Sequence, residues 1–120
     1  MINGFEEETA PLTEDELAMV PKFINGFRNK IGEGNAVTST TIIDKMEQLG
    51  YKMSGPRVRK IINHIRVNKL MQNLVATSRG YYIENDPEKV MAYVAGLKAR
   101  ADAIMAVANS YDLNYQLWTT

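Results

Sequence analysis

Apolar residues recur at Leu17, Val20, Ile24, Phe27 and Ile31, at alternating spacings of three and four, the stripe of one helical face. Thr13 stands ahead of the stripe as a cap, and Glu16 three residues later completes a capping box. Pro21 interrupts it and predicts a kink or a restart of the helix. Turn chemistry at Gly32-Glu33-Gly34-Asn35 ends the segment, and Ala36-Val37-Thr38 reads as a short extended piece. Ile42, Ile43, Met46 and Leu49 predict a second helix over about 39–49, stopped by Gly50. Ser54 caps a third helix, about 55–67, with Pro56 in its first turn, where a missing N–H costs nothing. Two β-prone runs, Leu74–Thr77 and Tyr81–Glu84, flank Ser78-Arg79-Gly80 and predict a hairpin. Gly80 supplies a positive φ there. Tyr81 and Tyr82 alternate faces, so one is expected in the core and the other partly exposed. Asp86 and Pro87 open a last helix that runs to about Ser110.

These elements make the chain mainly α with a small β-hairpin, an α+β class. Their order is that of a winged helix-turn-helix with an added C-terminal helix. The second and third helices form the helix-turn-helix, the hairpin at about 74–84 is the wing, and Ala36–Thr38 is expected to pair with it as a third strand. The organisation is an acidic arm at 1–11, the winged domain at 12–86, the added helix at 87–110 and a tail at 111–120.

Composition narrows the chemistry. The 120 residues hold no Cys and one His, which excludes a disulfide framework, a thiolate zinc site and a His-rich metal cage. Apolar runs fall far short of the roughly 20 residues needed to span a bilayer. The acidic N-terminus lacks a signal peptide's basic and apolar regions, so a cytoplasmic protein without a membrane partner is expected. No Gly-rich phosphate loop or catalytic constellation occurs, so neither catalytic residues nor a cofactor are expected.

Charge is segregated although it sums to zero: −6 over residues 1–16, +8 over 17–80 and −2 over 81–120. No acid occurs between Glu47 and Glu84. On the third helix, Val58, Ile61, Ile62 and Ile65 fall within an arc of about 100°, the core side. Lys60 and Asn63 lie opposite, flanked by Arg57 and His64 on one edge and by Arg59 and Arg66 on the other. Cations release counterions from DNA phosphates, and Arg and Asn offer planar forks to base edges. Arg57, Lys60 and His64 are expected to face the groove with Asn63 close behind, and Arg59, Arg66, Lys69 and Arg79 to serve phosphates. Double-stranded DNA is therefore the expected partner. The acidic arm either folds over this basic face in competition with DNA or acts as a solubilising tail.

In the last helix, Val90, Val94, Leu97, Ala101, Ile104 and Ala108 follow a heptad-like stripe. Either it packs back on the domain, or Val90, Val94, Leu97, Ala101 and Ile104 form the seam of a homodimer.

The segment Tyr51 to Arg66, with its Ser-Gly-Pro-Arg-Val-Arg and Ile-Asn-His-Ile-Arg runs, followed by Leu74 to Ile83 with its Gly-Tyr-Tyr hairpin and by Leu97 to Ala101, resembles small winged-helix proteins encoded by bacteriophages and prophages. The resemblance covers about residues 12–108. It implies a DNA-associated role in phage replication or gene regulation. The rival from another class is a protein-interaction module that recruits a phage or host replication or transcription factor. RNA is less favoured, because no aromatic stacking platform is present.

Overall fold

Thr13 begins the first helix as its sequence requires. Its hydroxyl accepts the Glu16 N–H and its own N–H donates to the Glu16 carboxylate, a complete capping box. The computed structural model describes residues 8–111. Within it, α1 spans Glu14–Phe27, α2 Ser39–Gln48, α3 Gly55–Val67 and α4 Pro87–Ser110, with strands β1 (Leu74–Thr77) and β2 (Gly80–Ile83) between α3 and α4. A short 3-10 turn covers Glu33–Asn35. The described chain is mainly helical with one antiparallel hairpin, an α+β arrangement. By internal contacts it forms two units, 1–85 and 86–120.

α1 continues through Pro21 and does not restart there. Its buried face is Glu16, Met19, Val20, Phe23 and Phe27, turned by about one position from the expected stripe. Leu17 is exposed, and Ile31 lies beyond the helix end. The turn comes from burial of Glu16, which brings Met19 and Phe23 inward with it. Thr38 caps α2 through the Thr41 N–H, and Ile42 and Met46 point into the core while Leu49 stays exposed. Ser54 caps α3 through the Arg57 N–H, with Pro56 in the first turn. Val58, Ile61 and Ile65 are completely buried and Ile62 nearly so, so α3 is the central element on which α1 and α2 pack.

The hairpin pairs Leu74 with Ile83, Val75 with Tyr82, Ala76 with Tyr81 and Thr77 with Gly80, leaving Ser78 and Arg79 as the turn. Gly80 has φ +123°, as its place at the turn demands. Both tyrosines are buried, contrary to the expected split. Tyr81 joins the main core and contacts Phe27, whereas Tyr82 lies directly across from Val75, itself buried, on the other face. The expected third strand is reduced to one bridge. Val37 and Tyr81 exchange two backbone hydrogen bonds of 2.9 and 2.8 Å, and 36–38 pairs no further. The Gly32–Ala36 turn shortens the run available for pairing.

Gly26 sits within α1 with no atom within 4 Å of where a Cβ would lie. Gly26→Ala should therefore stabilise the protein by about 0.5–1 kcal/mol, through lower unfolded-chain entropy and better helix propensity. Urea denaturation measures this as a higher midpoint at unchanged slope.

α4 begins at Asp86, whose carboxylate accepts the Glu88 N–H, with Pro87 in the first turn. None of its residues is buried. No helix among the described residues is long and apolar enough to cross a membrane.

Candidate nucleic-acid interface

The outer surface of α3 follows from which residues α1 takes inward. The Lys60 side chain is only 6% exposed, and its Nζ lies 2.7 Å from Glu16 Oε1. Arg57 places Nε 3.0 Å from Glu16 Oε2, and a second guanidinium nitrogen donates to the Lys52 carbonyl. Glu16 thus receives the Thr13 N–H, Lys60 and Arg57, with its side chain 3% exposed. Burial alone would raise its pKa. The hydrogen bond from Lys60, then those from the Thr13 N–H and Arg57, outweigh burial and hold the carboxyl at about 2, against an ordinary value of 4.5.

This corrects the expected groove-facing set. Lys60 is not on the outer face: its aliphatic stem lies inside the core boundary and its ammonium ends on α1. Arg57 is turned to the same carboxylate and is mostly covered. His64 is half-buried, and its ring Nδ1 lies 3.3 Å from the Asn68 side-chain nitrogen. The buried arc of α3 is therefore far wider than its aliphatic residues mark.

What α3 presents outward is the stripe Arg59, Asn63 and Arg66, at spacings of four and three. Arg59 and Asn63 are exposed and Arg66 is half-buried. The Arg59 Nε is 2.6 Å from Glu8 Oε1, so Glu8 reaches this face. Lys69 follows α3 in a left-handed conformation (φ 55°) and is exposed. At the hairpin tip, Arg79 is 73% exposed and lies 3.5 Å from Glu33, a solvated pair that holds it weakly. Thr77 Oγ1 accepts the Arg79 N–H and so orders the turn.

Glu8 and Glu33 belong to this surface; for Glu8 this agrees with one of the two roles expected of the acidic arm, whereas Glu33 was not expected there. The segregated charge of the N-terminus was the only sequence signal for Glu8, and nothing marked Glu33. Residues 1–7 and 112–120 lie outside the described residues, so the rest of the arm and most of the tail are not placed. Among the described residues, no group of three or more His, Asp or Glu side chains is arranged to hold a metal ion. Comparison with protein-family models, curated proteins and solved structures gives no match.

Proposed function

We propose that the chain is a winged helix-turn-helix protein that binds double-stranded DNA, with α3 as its recognition helix and the β1–β2 hairpin as its wing. The observation that carries this reading is the Arg59–Asn63–Arg66 stripe, on the side of α3 away from its buried face, in a stretch free of acids from residue 48 to residue 83. The element order, with α2 and α3 packed together ahead of a hairpin, supports the fold assignment.

Recognition helices read bases through their N-terminal half, which puts Arg59 nearest the base edges. Its guanidinium matches guanine O6 and N7, and the Asn63 amide matches adenine N6 and N7. Arg66, Lys69 and Arg79 are placed for phosphates, where they add affinity and salt dependence without sequence information. The resemblance to phage and prophage proteins makes replication or gene regulation the setting of this binding. The heptad-like stripe of α4, including Val94, Leu97 and Ile104, is assigned to a second copy of the chain, since helices with this spacing pair along an apolar seam. Sedimentation should then show a dimer that Leu97→Glu/Ile104→Glu converts to monomer.

Fluorescence anisotropy on a labelled random duplex tests DNA binding. Wild type should lose affinity steeply between 50 and 200 mM salt, with a slope of about −0.9 per phosphate contacted. Arg59→Ala/Arg66→Ala should weaken binding and flatten that slope by about 1–2. No binding by folded protein at 50 mM salt would overturn the reading. Because Glu8 occupies Arg59, Glu8→Gln should tighten binding at low salt by about two- to fivefold, the range of a solvated ion pair. Unchanged affinity would exclude competition by the acidic segment.

A further inference from the structure

A groove of about 490 Å³, half open to solvent, lies between α1, the 33–35 turn and α2. Its lining mixes two kinds of side chain. Phe23, Phe27 and Met46 form its buried floor, and its accessible apolar wall is Leu49, 61% exposed, with half-buried Ala36 and Val37. Lys22, Lys30 and Lys45 stand around them. No carboxylate lines the groove, and none of the ion pairs among the described residues uses these three lysines. Gly26 and Gly34 leave the backbone bare on two sides, each facing open space.

We propose that this groove docks an acidic segment of a partner protein, one that presents aliphatic or aromatic side chains flanked by carboxylates. Charge complementarity fixes the occupant. A wholly apolar ligand would crowd three ammonium groups without neutralising them. A nucleic-acid backbone would meet the lysines but leave the apolar wall of Ala36, Val37 and Leu49 unfilled. A segment with both features satisfies the rim and fills the groove, with apolar anchors giving affinity and the lysines giving register and encounter rate. No residue of α3 or of the hairpin lines the groove, so it can be occupied independently of the DNA surface.

The test uses the full chain and a dye-labelled dodecapeptide of three Asp-Leu-Glu-Phe repeats. Two control peptides carry Asn and Gln for the acids, or Ser for Leu and Phe. Binding should shift the amide resonances of Gly26, Gly34, Thr38 and Thr41, and each control should bind about tenfold more weakly or worse. Lys30→Gln/Lys45→Gln should show a similar loss. Gly26→Leu should block the groove by filling its open space, with circular dichroism and duplex affinity unchanged. No binding, equal binding of the Ser peptide, or retained binding by both variants would overturn the proposal. So would displacement of the peptide by duplex DNA that shifts the same amides.

Discussion

Glu16→Gln should destabilise the protein by about 3–5 kcal/mol, because it leaves the Lys60 ammonium buried without a counter-charge. At this chain length, that is a fall in Tm of roughly 10–20 °C. The glutamine can still accept the Thr13 N–H, so loss of the helix cap is not the cause. The double variant Glu16→Gln/Lys60→Met should recover most of the loss, since the one remaining charge, Arg57, is partly solvated and keeps the Lys52 carbonyl. A Glu16→Gln midpoint close to wild type would show that the buried network contributes nothing. The same carboxylate sets an acid limit. Its folded pKa of about 2 lies below the ordinary 4.5, so its contribution is complete above pH 4.5 and lost as pH falls toward 2. That contribution is on the order of 3 kcal/mol, and Glu16→Gln should flatten stability against pH in that window.

Gly80→Ala should be nearly as costly. A Cβ there would lie 2.5 Å from the Val37 carbonyl oxygen and 2.8 Å from its carbon, both backbone atoms with no side-chain freedom to yield. The φ of +123° strains any L side chain besides. Relief requires β2 to move from Val37, which breaks the two hydrogen bonds of the Val37–Tyr81 bridge. Strain and lost hydrogen bonds together predict about 3 kcal/mol. Urea denaturation measures the loss, and hydrogen exchange should show the Val37 and Tyr81 amides deprotected. Unchanged protection would mean that the bridge does not hold the hairpin to Val37.

The element order was legible because each boundary carries local chemistry. Thr13 with Glu16, Ser54 with Pro56, and Asp86 with Pro87 mark helix starts, and Gly80 marks the hairpin turn. The outward face of α3 was legible only in part: Arg59, Asn63 and Arg66 were expected away from the core, but so were Arg57 and Lys60. Arg57 and Lys60 look like a basic surface until a distant carboxylate pulls them inward, and Glu16 already had a sufficient local role as capping residue. Tyr82 was misplaced for a related reason: alternation separates the two faces of a strand but does not say whether the second face is covered. Pro21 shows the reverse, a local breaker overridden by tertiary packing of Met19, Val20, Phe23 and Phe27.

The proposed DNA surface therefore rests on Arg59, Asn63 and Arg66, together with Lys69 and the hairpin tip. Amide chemical-shift mapping with a short duplex tests this most directly. Shifts should concentrate along Arg59, Asn63, Arg66 and Lys69 and at Ser78–Gly80. Shifts confined to the surroundings of Lys22, Lys30 and Lys45, or no shifts from folded protein at low salt, would contradict α3 as the recognition helix.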